Sequence, residues 1–274
     1  MRATLRRVFD AHCHIVDRRF PLVANKGYVP PAFNCADYKA TACVPPLNVV
    51  SGAIVSGSFQ AYDQTYLEAA LKTLGPEFVG VAQVPLSVSD DEAKRLAKLR
   101  VRAMRINLFR GDSGSSLVEA IALAKRMHAL VGWHTEVYTS TASLSAAEVS
   151  LLGSLPQLVV DHLGMNGSDK GIAALLDLVD AGACVKATGF GRVGEEGEGN
   201  GGGMDVARVM QLVAERNANA LIFGTDLPST RARRPFALAD VYLIVDALGP
   251  ELAQRALWDN ARSLYRLDNN APST

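Results

Sequence analysis

Short apolar runs alternate along the chain with segments of helical periodicity. The runs, several of them rich in valine and isoleucine, lie near Val8–Ala11, Val49–Val55, Phe78–Val84, Ala103–Ile106, Gly132–Val137, Leu158–Val160, Ala183–Ala187 and Ala220–Phe223. Runs of this length and composition are typical of parallel strands that are buried on both faces. The sequence therefore predicts eight short strands.

Segments with helical spacing separate most of these runs, and several begin with a serine or aspartate that can cap a helix. They are Asp63–Leu74, Ser89–Leu99, Ser115–Leu130, Ser145–Leu152, Lys170–Ala181, Asp205–Asn217 and Phe236–Leu248. Alternating strands and helices predict one α/β domain over residues 1–274, a (β/α)₈ TIM barrel. An open doubly wound sheet is the alternative, but the first strand leads into DAHCHIVD and not into a glycine-rich dinucleotide fingerprint.

The amino-acid composition limits the kinds of partner that the protein is expected to bind. The chain has 274 residues, with 28 Lys and Arg against 28 Asp and Glu, so its formal net charge is zero. This balance argues against nucleic-acid or membrane-surface binding through bulk charge. The N-terminus has no apolar segment typical of a secretory signal, and no stretch approaches the ~18 apolar residues of a membrane span. Because the four cysteines show no CxxC spacing, reduced thiols and a cytoplasmic location are expected. No sequence pattern indicates an oligomeric state.

Two long connections stand out. Residues Val16–Asn48 carry five of the twelve prolines, and a connection of that length usually has a function or covers a barrel end. Residues Gly189–Gly203 are rich in glycine and acidic side chains. Either a disordered surface loop or a mobile lid would account for that second composition.

Ionisable side chains follow three of the predicted strands. In DAHCHIVD, His12 and His14 are two residues apart and share one face of the first strand, while Cys13 faces away. His162 follows the run LVVD, and Asp226 follows LIFGT. A buried hydrogen-bonded histidine and a helix-capping aspartate are the structural alternatives for the last two. Enzymes with this barrel place their chemistry at the C-terminal ends of strands, so we predict that the four side chains converge there.

These motifs resemble the amidohydrolase superfamily, in which HxH on strand one, a histidine on strand six and an aspartate on strand eight form the active site. The segments AMRINLF, GWHTEVY, VVDHLG and FGTDLPS are similar to its 2-pyrone-4,6-dicarboxylate lactonase branch. The similarity extends from about Phe9 to Leu267.

The resemblance implies roles for ten residues. Asp226 would be the general base toward water, and His12, His14 and His162 would polarise the scissile carbonyl. The residues that would contact the substrate are Tyr28, Ser56, Ser58, Arg105, Tyr138 and Arg192. Two arginines at one barrel mouth favour a small anionic substrate, because a guanidinium fits a planar carboxylate. A structural salt bridge is the alternative role for Arg105.

The wider superfamily often binds one or two divalent ions with the help of a carboxylated lysine on strand four or a histidine on strand five. Strand four has no lysine, and His134 lies deeper in strand five than Tyr138, where it is expected to support the interior and to bond Glu136 or a neighbouring strand. No cofactor and no metal are therefore expected. The alternative is a single divalent ion such as zinc, held by His12, His14 and Asp226 with His162 available.

The resemblance thus implies a hydrolase that opens a small carboxylated lactone such as 2-pyrone-4,6-dicarboxylate, with a role in the breakdown of aromatic compounds. Three enzymatic alternatives stay open: a zinc-dependent decarboxylase, an amide hydrolase of the same superfamily, and a lactone isomerase. A barrel that only binds a small molecule is the non-enzymatic alternative. The presence of three histidines, Asp226 and two arginines argues against it.

Overall fold

The eight apolar runs form eight parallel strands in a computed structural model of the chain, which describes residues 7–109, 116–165, 168–193 and 204–267. The strands are β1 (Val8–Cys13), β2 (Val49–Val55), β3 (Phe78–Ala82), β4 (Val101–Asn107), β5 (His134–Tyr138), β6 (Leu158–Val160), β7 (Cys184–Ala187) and β8 (Leu221–Phe223). Each strand pairs with the next in the order of the sequence. Backbone bonds from Asp226 N to His12 O and from His14 N to Leu227 O, both 2.7 Å, join the end of β8 to β1. The predicted barrel is confirmed, and the open sheet is excluded.

Ten helices lie among the described residues and surround the strands: α1 (Cys35–Ala42), α2 (Thr65–Leu74), α3 (Asp90–Lys98), α4 (Leu117–Val131), α5 (Ala146–Gly153), α6 (Asp169–Asp180), α7 (Phe190–Val193), α8 (Val206–Arg216), α9 (Leu238–Gln254) and α10 (Asn260–Leu264). Reciprocal caps begin α4 at Ser116, one residue after the predicted start at Ser115, and α5 at Ser145, as predicted. A left-handed Gly132 ends α4. No helix among the described residues is long and apolar enough to cross a bilayer.

Two apolar layers hold the barrel together. One lies between the strands and the helices, and the other fills the barrel itself. The C-terminal segment closes the inner layer, because the ring of Tyr265 stacks on Phe9 with their centroids 5.3 Å apart. Apolar side chains thus fill one end of the barrel. The polar side chains that follow the strands are left to form the opposite mouth.

Residues 194–203, which make up most of the glycine-rich segment, lie outside the described residues. The described start of that segment is α7, which carries Arg192. The prediction of a lid or a disordered loop is therefore not tested by the structure.

Candidate active site

His12, His14, His162 and Asp226 converge at the C-terminal ends of the strands. The ring centroid of His12 lies 5.0 Å from that of His14 and 4.8 Å from that of His162. Oδ1 of Asp226 lies 3.8 Å from Nε2 of His12 and 3.7 Å from Nε2 of His14. All four side chains are buried. Residues 150 positions apart in sequence therefore meet at one mouth, because parallel strands end on the same side of the barrel.

Unusual backbone conformations orient two of these side chains toward the mouth. His162 has φ of 52° and Asp226 has φ of 58°, in the left-handed region that residues other than glycine rarely adopt. The Asp226 backbone is held there by the bond from its amide to His12 O and by a bond from Ser229 N to its carbonyl. Strained backbone of this kind is concentrated at functional sites.

The two carboxylate oxygens of Asp226 have different surroundings. Oδ2 accepts hydrogen bonds from Arg192, at 3.2 Å from Nε and 2.8 Å from Nη2. Oδ1 has no hydrogen-bond partner among the described residues. Burial disfavours the charge, but Arg192 and then His162 outweigh it and hold the pKa of Asp226 well below its usual range. Asp226 is therefore an anion with one free oxygen that faces the histidines.

Neighbouring groups fix the orientation of the histidines. Nδ1 of His14 lies 2.8 Å from Val55 O, and because a carbonyl can only accept, Nδ1 carries the proton. The lone pair of a neutral His14 then lies on Nε2, which faces Asp226. Nδ1 of His162 lies 2.7 Å from the Thr188 hydroxyl, and burial lowers the pKa of His162 to about 3. His162 is thus neutral near pH 7.

The mouth opens into a pocket with about 430 Å³ of empty space. Five of the six predicted substrate contacts line it together with the site residues: Tyr28, Ser58, Arg105, Tyr138 and Arg192. Arg231 also lines the pocket, with its guanidinium 4.5 Å from the ring centroid of Tyr28. The sequence reasoning did not identify Arg231. Three arginines thus line this pocket, and two of them, Arg105 and Arg192, are paired with Asp161 and Asp226.

Ser56 lies behind the pocket wall. Its hydroxyl is buried and bonded to Gln64 Oε1 at 3.1 Å and to the Tyr66 hydroxyl at 3.0 Å. Its carbonyl accepts a bond of 2.9 Å from Arg105 Nη1. In this arrangement Ser56 acts on the pocket through Arg105, and a direct contact with substrate stays a prediction.

Arg105 forms a salt bridge, which is the structural role that the sequence left open for it. Its Nε and Nη2 lie 3.1 and 2.8 Å from Oδ2 of Asp161, which follows β6. Its guanidinium also lies 5.2 Å from the ring centroid of Tyr138 and remains on the pocket wall. Pairing with Asp161 and contact with a ligand are therefore compatible.

A second set of polar side chains lies below the mouth. It consists of Glu136, Asp161 and Lys186 together with Nδ1 of His12, and we call it the deep cluster. Lys186 on β7 donates a hydrogen bond to Glu136 Oε2, and its Nζ lies 3.2 Å from His12 Nδ1. Nε2 of His134 lies 3.3 Å from Glu136 Oε1, which confirms the predicted interior role of His134. The deep cluster itself was not predicted. Its signal in the sequence is a charged residue inside two apolar strand runs, HTEVY and CVKA, since such residues need partners when buried.

Several solved structures share this fold. A probable 2-pyrone-4,6-dicarboxylic acid hydrolase of Acinetobacter baumannii with citric acid bound has a TM-score of 0.78 at 18% identity, covering 94% of this chain and 99% of that one. A protein of Pseudomonas putida with the same proposed activity has a TM-score of 0.78 at 24% identity, covering 98% and 99%. A protein of Agrobacterium tumefaciens has a TM-score of 0.82 at 21% identity, covering 97% of each chain. At these identities the likeness establishes the fold.

The expectation that the site needs no metal is wrong. His12, His162 and Asp226, which we call the upper cluster, offer ligand atoms that lie within 4.8 Å of one another, and so do His12, Glu136 and Asp161 in the deep cluster. Nε2 of His12 and Oδ1 of Asp226 are buried and have no hydrogen-bond partner among the described residues. Asp226 Oδ1 is thus free to ligate, and so is His12 Nε2 in the tautomer that carries its proton on Nδ1, 3.4 Å from Asp161 Oδ1. More distant structures of this fold include metal-dependent tyrosine phosphatases of Bacillus subtilis and Streptococcus pneumoniae, with a TM-score of 0.52 at 16% identity, covering 94% of each chain. Strands four and five indeed supply no lysine and no histidine at the mouth, but an ion does not need them there. The histidines and the aspartate at the mouth form a ligand set without them.

The family of the chain follows from its sequence as well as from its fold. No curated protein matches the sequence. The family model described as amidohydrolase matches residues 9–267, which run from β1 through the closing segment after α10. That match includes β1 from its second residue, the seven other strands and every residue of the mouth, and it agrees with the motifs HxH, DHLG and GTD. The chain therefore belongs to the amidohydrolase family.

Proposed function

We propose that this amidohydrolase opens the ring of a small lactone that carries one or more carboxylates, such as 2-pyrone-4,6-dicarboxylate. The observation that carries the proposal is the position of Asp226. Its free Oδ1 lies within 3.8 Å of His12 and His14, a ligand nitrogen of His162 lies within 4.8 Å of the carboxylate, and arginines line the wall of the same pocket. This combination provides a proton acceptor, groups that polarise a carbonyl, and sites for carboxylates.

Hydrolysis adds water across the ring ester. The hydroxyl of water bonds to the carbonyl carbon, the bond from that carbon to the ring oxygen breaks, and the ring oxygen takes up a proton. Oδ1 of Asp226 is the acceptor for the proton that water loses, and the protonated Asp226 is then the donor to the leaving oxygen. A general acid–base residue of this kind typically contributes about 10²–10⁴-fold to the rate.

A divalent ion fits the upper cluster, where His12, His162 and Asp226 would hold it. When bound, such an ion acts as a Lewis acid and lowers the pKa of bound water. His14 lies beside the upper cluster and has a separate role. Its Nδ1 is fixed on Val55 O, so the lone pair of its Nε2 faces the space beside Asp226 Oδ1, 3.7 Å away, where it can accept a hydrogen bond from water. Thr188 orients His162 in the same way through Nδ1. Partners of this kind commonly change metal affinity or activity by about 10–100-fold.

Substrate charge is recognised by the pocket wall. Arg105, Arg192 and Arg231 line the pocket, and each can form charge-assisted hydrogen bonds to a carboxylate. Tyr28 and Tyr138 provide aromatic faces on the same wall. The similar protein of Acinetobacter baumannii binds citric acid, a tricarboxylic acid, and this agrees with an anionic substrate.

The test is a substrate panel with purified protein loaded with zinc or manganese. Lactones with two, one and no carboxylates are compared at equal concentration, and the products are identified by NMR and mass spectrometry. We expect ring-opened acids that have gained one water, with kcat/KM falling as carboxylates are removed. An isomer of unchanged mass would favour the isomerase alternative, and loss of carbon dioxide would favour the decarboxylase. Equal turnover of the neutral and the carboxylated lactone would contradict the proposed substrate class.

A further inference from the structure

The deep cluster has the donors of a metal site but contains an ammonium group. Ligand atoms of His12, Glu136 and Asp161 lie within 4.8 Å of one another and are fully buried. Nζ of Lys186 lies among them, 3.2 Å from His12 Nδ1 and 3.5 Å from Asp161 Oδ1, and it donates to Glu136 Oε2. The same three residues that would ligate a divalent ion thus surround this nitrogen.

The charges of the deep cluster balance with Lys186 present. Glu136 and Asp161 contribute two negative charges, and Lys186 contributes one positive charge. Arg105 provides the second positive charge through Oδ2 of Asp161. The Tyr265 hydroxyl and His134 bond the remaining oxygen of Glu136. An additional divalent ion would leave a buried excess of two positive charges, which is costly inside a protein.

Lys186 cannot easily leave this position. It lies within β7, where it pairs with Ile222 of β8, and its side chain has no exposed surface. A lysine that turned out of the barrel would have to cross the packed strands. The ammonium is therefore a permanent part of the barrel interior.

We propose that Lys186 is a built-in cation that occupies the deep cluster in place of a second divalent ion and so limits this barrel to the upper cluster. A neutral imidazole ligates through one nitrogen while the other carries the proton, so the two clusters also compete for His12. The inference goes beyond the proposed function and does not depend on whether the substrate is a lactone.

The test isolates the deep cluster by removing the carboxylate of the upper one. Zinc binding by equilibrium dialysis with elemental analysis, and cobalt absorption spectra, are measured for Asp226→Asn, for Asp226→Asn/Lys186→Ala, and for the triple variant that adds Glu136→Gln. We expect Asp226→Asn to bind little metal, the double variant to gain about one equivalent, and the triple variant to lose it again. An exposed lysine on α2 provides the control, because Asp226→Asn/Lys72→Ala should bind as Asp226→Asn does.

Two results would overturn the proposal. One is a tightly bound ion in Asp226→Asn that disappears with Glu136→Gln while Lys186 is intact. The other is a folded double variant that gains no metal. If Lys186→Ala does not fold alone, recovery of folded protein only when zinc is present during refolding supports the proposal. If it folds under neither condition, Lys186→Ser, whose short polar side chain also leaves the position of Nζ empty, replaces it in the same measurement and is judged by the same outcomes.

Discussion

At the scale of single residues, the asymmetry of Asp226 organises the mouth. Oδ2 is held by Arg192 and Oδ1 faces the histidines, so one carboxylate serves two purposes. The bond to Arg192 fixes the side chain and keeps it ionised. The free oxygen is left for a proton or an ion.

The charge of the pocket gives a prediction for Arg105. Arg105→Met removes a charge-assisted bond worth roughly 1.5–3 kcal/mol, or about ten- to a hundredfold in kcat/KM. Because the substitution also leaves Asp161 without its partner, the absolute rate is a poor measure. The ratio of kcat/KM for a carboxylated lactone to that for its neutral analogue should fall by this factor.

Arg102 on the same strand provides the matched control. It lies at the opposite end of β4, where Nη1 donates to Ala97 O, and Arg102→Met should leave the ratio unchanged. An equal loss for the neutral and the carboxylated lactone in Arg105→Met would mean that Arg105 is only structural.

At the scale of elements, the contact between β8 and β1 positions the chemistry. Gly224 follows β8 and lies against β1, where an added Cβ would meet His12 N, His12 Cβ and Thr188 Cγ2, each at 2.7 Å. This position needs a glycine because the two backbones approach closely. Asp226 and His12 are brought within reach of each other by that approach.

Gly224→Ala is therefore expected to destabilise the protein and to separate Asp226 from His12. Overpacking in a dense interior typically costs about 1–3 kcal/mol, which urea unfolding would measure as a lower free energy of unfolding. The matched control is Gly153→Ala at the end of α5, where the nearest atom to a new Cβ is Ala181 Cβ at 3.2 Å. An unchanged stability and rate in Gly224→Ala would show that β8 and β1 have more freedom than this packing implies.

Most elements could be predicted from the sequence, because buried parallel strands leave continuous apolar runs with capped helices between them. The runs Val49–Val55 and Leu158–Val160 match β2 and β6 at both ends. The mouth could be predicted because its residues follow these runs directly. Whether a side chain at the mouth reaches the pocket could not be predicted. Ser56 follows β2 as expected, yet its hydroxyl faces Gln64 and Tyr66 behind the pocket wall.

The deep cluster was missed for a related reason. In strands that are buried on both faces, apolar periodicity does not show whether Lys186 and Glu136 face the barrel or the helices. The two residues lie on β7 and β5, which are separated by β6, and their side chains meet inside the barrel. The expectation of no metal failed for another reason: the lack of a lysine on β4 and the depth of His134 do not prevent the residues of the mouth from offering a ligand set of their own.

At the scale of the whole molecule, a metal ion bound at the mouth would connect β1, the segment after β6 and the segment after β8. An ion that binds only the folded state raises the free energy of unfolding by RT ln(1 + [ion]/Kd), about 2.7 kcal/mol at a concentration a hundredfold above Kd. Dialysis against a strong chelator should therefore lower both the thermal midpoint and the rate, and added zinc or manganese should restore them. A midpoint and a rate that are unchanged, with no metal found by elemental analysis before or after, would contradict a metal at this mouth.

We propose that Asp226 drives ring opening of a carboxylated lactone. The most direct measurement is kcat for a pyrone dicarboxylate with metal-loaded wild-type protein, Asp226→Asn, and Asp240→Asn as a control outside the pocket. Asp240 caps α9 and pairs with Arg234, so its variant tests the loss of a buried acid elsewhere. We expect Asp226→Asn to lower kcat by at least about 10²-fold and Asp240→Asn to stay close to wild type. Ring opening at a near-normal rate in Asp226→Asn would contradict this proposal.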